Sequence, residues 1–241
     1  MLNIERFQSK EEVTVEGRRA LEDFLRDTKR KHENVLLCLS GGSALELLNE
    51  FDFSVLGENV TLTVLDERFS TNPAINNLAQ IEKIGFLHRA REVGCQVIDT
   101  RVHEGETMEE VVVGFNMALV RWQENNPTGK IVATAGIGPD GHTSGIIPQS
   151  RNFDKLFMHD SGRYVVGYTA ANQPEDRNQR VTTNFEFLRL VAFAVLVVMG
   201  EEKKSAETRL LANQGSLAET PARIWRETRG MATMFTNLQL V

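Results

Sequence analysis

Asp140 and His142 lie two residues apart in Gly136-Ile137-Gly138-Pro139-Asp140-Gly141-His142. An imidazole titrates near neutrality and can serve as a general base. A carboxylate beside it can orient the ring and stabilise the imidazolium. The glycines and the proline force the backbone through a tight, irregular path. A loop that only had to turn could keep them and omit the acid and the imidazole, so spacing alone leaves both a turn and a site open. Other polar groups compete for attention. In Ser40-Gly41-Gly42-Ser43 the glycines let a ligand approach the backbone, and a following helix start would attract an anion. Ser43 is equally well placed as an N-cap. Asp66-Glu67-Arg68 offers a carboxylate that can hold or accept a proton and a guanidinium that can clamp a phosphate, or else an ion pair closing a strand. Arg180, ahead of Val181-Thr182-Thr183, and Lys203, at the start of a helical pattern, are candidate phosphate ligands. His32, His88, His103 and His159 lack a comparable setting and read as surface or packing residues. No nucleophile elbow and no zinc-type ligand spacing occurs.

The elements that must position these groups alternate. Val35–Leu39, Val60–Leu65, Ile131–Ala135 and the run from Leu190 to Met199 are continuous apolar stretches, expected of strands covered on both faces. Cys95–Ile98 and Arg163–Thr169 are further strands, residues 1–10 hold a candidate edge strand, and Met231–Phe235 is expected as a last, edge strand. Helical spacing marks Glu11–Arg30, Ala44–Glu50, Pro73–Gly85, Glu106–Asn125, Asn184–Leu190 and Lys204–Gln214. Gln173–Arg180 reads as a polar loop, and Pro221 opens a short segment through Trp225. The alternation predicts an α/β fold with a largely parallel, two-sided sheet. Ligands bind such sheets beyond the carboxyl ends of the strands. Ser40–Ser43, Asp66–Arg68, Gly136–His142 and Gly200–Lys203 each follow an apolar run, so parallel strands would bring all four to one crevice.

Composition narrows the partners. The 241 residues, 41% apolar and 25% charged, suit a soluble globular protein, and with no long linker a single domain over 1–241 is expected. The net charge of −6 argues against a nucleic-acid or anionic-membrane surface, so an anionic ligand must be held by a local cluster of donors. The two cysteines, Cys38 and Cys95, have no ligand spacing and read as reduced residues of a cytosolic protein. No signal core opens the chain, and the longest apolar run is too short to span a bilayer. A cytoplasmic protein is expected, with its oligomeric state left open.

Taken together, Ser40-Gly41-Gly42-Ser43, Asp66-Glu67-Arg68, Asn77, Gly136 to His142, Pro148, Arg180-Val181-Thr182 and Gly200 with Lys203 resemble, in order and rough spacing, the 6-phosphogluconolactonases, relatives of the glucosamine-6-phosphate deaminases. Arg68 resembles the lactonase branch, since the deaminases typically carry Tyr there. The resemblance covers about residue 35 to the end. It implies a three-layer α/β/α sandwich like the glucosamine-6-phosphate deaminase fold. It also implies hydrolysis of 6-phospho-D-glucono-1,5-lactone in the pentose phosphate pathway, a sugar-phosphate substrate, and no metal or organic cofactor. By the same resemblance His142 is the general base, and Asp140 and Asp66 are active-site acids. Arg68, Arg180 and Lys203 bind phosphate or developing negative charge, and Ser40, Gly41, Gly42 and Ser43 line the sugar-phosphate pocket. Rival readings are a glucosamine-6-phosphate isomerase/deaminase and a non-catalytic sugar-phosphate-binding module. The chain departs from the family's pattern at Ser144-Gly145-Ile146-Ile147, where Ala-Ser-Leu-Phe is usual. It departs again at Ala44-Leu45, where Thr-Pro or similar is usual, and at Asn237, near the place of an Asp.

Overall fold

The computed structural model describes residues 1–158, 162–171 and 173–239. His159 lies outside the described residues. In chain order the elements are β1 (Leu2–Arg6), α1 (Lys10–Arg30), β2 (Val35–Leu39), β3 (Val60–Val64), β4 (Asp66–Arg68), α2 (Asn77–Lys83), α3 (Phe86–Glu92), β5 (Gln96–Val97), α4 (Met108–Asn125) and β6 (Lys130–Gly136). They continue with α5 (Phe153–Phe157), β7 (Val165–Thr169), β8 (Gln179–Thr183), α6 (Phe185–Arg189), β9 (Phe193–Val198), α7 (Lys204–Leu211) and β10 (Met231–Thr236). Local chemistry sets the long helices. Ser9 and Glu12 form a reciprocal capping box at α1, as do Thr107 and Glu110 at α4.

Seven strands form a parallel sheet in the order β1-β10-β9-β6-β2-β3-β5. Successive side chains of a strand leave opposite faces, so an all-apolar strand feeds two cores. In β2, Leu36 and Cys38 pack with Phe115, Leu119 and Ile131 of α4 and β6. Val35, Leu37 and Leu39 join Leu21 and Leu25 of α1 and Leu78, Ile81 and Leu87 of α2 and α3. Helices therefore cover both faces, and the expected α/β/α sandwich is the observed fold. Cys38 and Cys95 are buried, free thiols, and burial pushes both upward in pKa.

Strand order locates the crevice. From β2 the chain moves outward to β3 and β5 on one side, then returns to β6, β9 and β10 on the other. The reversal lies between β2 and β6, and such a switch point opens a cleft at the carboxyl ends of those strands.

Three expectations need correction. Met231–Thr236 is not an edge strand: β1 pairs beyond it, and all but the first residue of β10 are buried. The polar stretch ending at Arg180 is not loop throughout. Gln179–Thr183 is the central strand of a second, antiparallel sheet, β4-β8-β7, in which Arg68 pairs with Arg180 and Asp66 with Thr182. Asp66-Glu67-Arg68 is thus a strand of its own rather than the frayed end of β3. Finally, the segment after Ser40 is a seven-residue 3₁₀ helix, Gly42–Leu48, whose N-cap is Gly41, so Ser43 does not cap it.

Candidate active site

A cleft of about 250 Å³ opens at the switch point. It is lined by Ser40, Gly41, Gly42 and Ser43 after β2, by Asp66 and Arg68 of β4, by Gly136 at the end of β6, and by Gly138 and His142 beyond it. Arg180 of β8 and Lys203 complete the set of candidate residues. The four polar groups that end apolar runs therefore do converge. Asp140 alone among the candidates does not line the cleft; it lines a separate cavity with Arg209 and Thr220. It meets the cleft only through its contact with His142.

The His142–Asp140 pair is built by the loop. His142 Nδ1 lies 2.6 Å from Asp140 Oδ1, and the His142 backbone N–H donates to the same oxygen at 3.0 Å. Burial raises the Asp140 carboxyl, but the hydrogen bond and charge of His142 and its backbone N–H outweigh this, and the net shift is downward. An ionised carboxylate only accepts, so Nδ1 carries the proton toward it and Nε2 is left as the basic nitrogen. Gly138 N donates to His142 O at 2.9 Å, Thr143 Oγ1 to Gly136 O at 2.9 Å, and Trp225 Nε1 to Thr143 Oγ1 at 2.9 Å. The loop is tied to β6 and to the buried C-terminal segment.

The positive groups come from three elements. Lys203 Nζ donates to Ser43 Oγ at 3.2 Å, which joins the loop after β9 to the loop after β2. Burial lowers the Lys203 pKa. Arg180 is buried, with Nη1 3.7 Å from Asp66 Oδ2, and Arg68 Nε is 4.0 Å from the same oxygen. Burial, then the charge of Arg68, pulls Arg180 downward. One carboxylate thus faces two guanidiniums and leaves positive charge for an anion. The ion-pair reading of Asp66 and Arg68 and the site reading describe the same residues. Among the described residues, no group of three His, Cys, Asp or Glu is disposed to hold a metal ion, and no helix is long and apolar enough to cross a membrane.

Asn77 and Glu67 belong to the sequence motifs but carry no role of their own there. Asn77 lines the cleft, and its Nδ2 donates to Asp66 O at 2.9 Å and to Asp66 Oδ2 at 3.4 Å. Its signal was the pair Asn76-Asn77 at a helix start: Asn76 caps α2 and so aims Asn77 back at β4. Glu67 points away from Asp66, into the protein. It accepts from Asn77 N at 2.6 Å, Arg68 N at 2.7 Å and Leu78 N at 3.0 Å. It thereby pins the start of α2 to β4. Strand alternation within Asp66-Glu67-Arg68 turns the middle residue the other way.

Burial pushes Glu67 up to about 8, against the pull of its three backbone donors. A carboxyl raised in the folded state holds its proton more tightly there than in the unfolded chain. Its contribution is therefore complete below the unfolded value and is lost as pH rises toward about 8. Between pH 5 and 8, denaturant melts should show wild type losing stability relative to Glu67→Gln, by at most about 1.4 kcal/mol per pH unit. A difference that stays constant over that range would contradict this state of Glu67.

The departures from the expected pattern divide by position. Ser144 and Gly145 line the cleft, whereas Ile146 and Ile147 are buried in the core. Ala44 is buried and Leu45 packs on the second core. Asn237 Oδ1 accepts from Gly200 N at 3.3 Å and so steadies the turn that presents Lys203. Of the other histidines, His32, His88 and His103 are exposed.

Comparison with known proteins gives the family and the fold. The family model described as glucosamine-6-phosphate isomerases/6-phosphogluconolactonase matches residues 8–234. A protein of Neisseria meningitidis named 6-phosphogluconolactonase is 25% identical over 216 residues, covering 88% of both chains. One of that name from Borreliella burgdorferi is 30% identical over 183 residues, covering 76% of this chain and 66% of the relative. The crystal structure of a putative 6-phosphogluconolactonase from Neisseria gonorrhoeae superposes with a TM-score of 0.76 at 22% identity, covering 98% of this chain and 99% of the other. The 6-phosphogluconolactonase of Trypanosoma brucei gives 0.78 at 17% identity, covering 98% and 96%. This chain belongs to the glucosamine-6-phosphate isomerase/6-phosphogluconolactonase family.

Proposed function

We propose that the protein hydrolyses 6-phospho-D-glucono-1,5-lactone to 6-phosphogluconate, with His142 as general base. The observation that carries this reading is the placement of a carboxylate-oriented imidazole in one cleft with Arg68, Arg180 and Lys203. Nε2 of His142 takes a proton from water as the water oxygen attacks the lactone carbonyl carbon. Charge gathering on the carbonyl oxygen is stabilised by Arg68 or by backbone N–H groups of the cleft. Collapse of the tetrahedral species breaks the bond to the ring oxygen, which leaves with the proton held by His142. Arg180 and Lys203 hold the phosphate, and that binding energy orients the carbonyl. Arg68 favours the lactone over the amino-sugar reaction, because it puts a cation beside Asp66 where proton transfer from carbon would call for an unencumbered carboxylate.

The phosphate requirement tests this reading. Wild type is expected to prefer the 6-phosphorylated lactone over glucono-1,5-lactone by on the order of 10²-fold in kcat/KM, the worth of two charge-assisted contacts. Lys203→Ala is expected to raise KM about tenfold with kcat little changed, and to narrow the preference for the phosphorylated lactone. Equal turnover of the two lactones would overturn the reading, and an unchanged KM would remove Lys203 from the phosphate site.

A further inference from the structure

Ser144 follows His142 by two residues and lines the cleft. It is only 6% exposed, yet its Oγ has no hydrogen-bond partner among the described residues. A buried hydroxyl is normally paired, so an orphan at a cleft wall calls for an explanation. The backbone supplies a second anomaly. Ser144 has φ 48 and Gly145 φ 69, two consecutive left-handed residues, a conformation that a residue with a Cβ rarely adopts. The strain is held in place from behind by the small sheet: Thr182 Oγ1 donates to Ser144 O, and Tyr168 Oη donates to Gly145 O at 2.6 Å. Tyr168 Oη also accepts from Ile147 N at 3.2 Å. Both carbonyls are therefore engaged by the small sheet, while the Ser144 hydroxyl is left with its capacity unused.

A residue that is strained and unsatisfied in the free protein makes sense if the missing partner is a ligand. Arg68, Arg180 and Lys203 suit the phosphate, which leaves the uncharged Ser144 hydroxyl for a neutral hydrogen-bonding group of the ligand. Position narrows it further. Gly145 packs so closely on Asp66 that a Cβ there would lie 2.8 Å from Asp66 Oδ2. Ser144 thus stands in the chain between His142, the proposed base, and the residue that touches Asp66. With the lactone carbonyl set at His142 as proposed, the substrate hydroxyl nearest to it is the one on the adjacent ring carbon.

We propose that Ser144 is a substrate-binding residue whose hydroxyl hydrogen-bonds the 2-hydroxyl of the sugar phosphate, an assignment that rests on the lactone reading of the cleft. The test is calorimetric titration of wild type, Ser144→Ala and Ser144→Gly with 6-phosphogluconate and with its 2-deoxy analogue, alongside thermal melts. Glycine adopts the left-handed conformation without strain, so Ser144→Gly is expected to melt no lower than wild type. Both variants are expected to bind 6-phosphogluconate about tenfold more weakly, the loss of one hydrogen bond, and to match wild type on the 2-deoxy analogue. Wild-type affinity of both variants for both compounds would overturn the assignment. So would an equal loss on both compounds, which marks a structural role. A wild type that binds these compounds but does not accelerate lactone hydrolysis would sink the lactone reading alone, with Ser144 still judged by the titrations. A wild type that binds neither compound overturns both.

Discussion

His142→Ala is expected to lower kcat for lactone hydrolysis by about 10³-fold, within the range for loss of a general base, while leaving the fold intact. The side chain is about one-third exposed, and it pairs with Asp140, itself more exposed. Removing it opens no core cavity and strands no buried donor, so the melting temperature should move little. What remains is the phosphate clamp and the electrostatic environment of the cleft. KM should therefore stay near the wild-type value. A purified, folded variant that kept wild-type turnover would take the base away from His142.

Gly138→Ala is expected to cost at least about 10²-fold in kcat, the scale of misplacing a reacting group by roughly 1 Å. A Cβ at this position would lie 2.1 Å from both Cε1 and Nδ1 of His142, and 2.8 Å from Asp140 Oδ1. Neither ring nor carboxylate can stay where it is. The dyad must open, and the imidazole loses the contact that fixes its tautomer. The substitution adds one methyl group outside the apolar core, so activity should fall far more than stability. The discriminating measurement is kcat set beside a thermal melt. Full activity in the variant would mean that the geometry of the loop does not matter to the reaction.

The sequence carried the strand-and-helix alternation and, with it, the crevice, because a buried parallel strand announces itself as an uninterrupted apolar run. Ser40, Asp66, Gly136 and Lys203 could be placed at one end of the sheet on that ground alone. The small antiparallel sheet was hidden by its brevity. Asp66–Arg68 is three residues long and charged, and Gln179–Thr183 opens on polar residues, so neither shows the alternation of a half-buried strand. Without that sheet, Arg180 was a basic residue near the end of a loop rather than the strand partner of Arg68. Glu67 and Asn77 stood in the motifs, but their roles were not legible, since their contact joins β4 to a helix start ten residues away. Met231–Thr236 was mistaken for an edge because nothing in a short apolar strand says that the N-terminal strand will pair beyond it.

Hydrolysis of a sugar-phosphate lactone in this cleft is the activity proposed for the protein. The most direct test follows the disappearance of 6-phospho-D-glucono-1,5-lactone with purified protein against its spontaneous hydrolysis in buffer, with ammonia release from glucosamine 6-phosphate measured in parallel. Loss of lactone well above the buffer rate, in proportion to protein and without ammonia release, is the predicted result. A lactone trace that overlays the buffer blank while glucosamine 6-phosphate yields ammonia would contradict it.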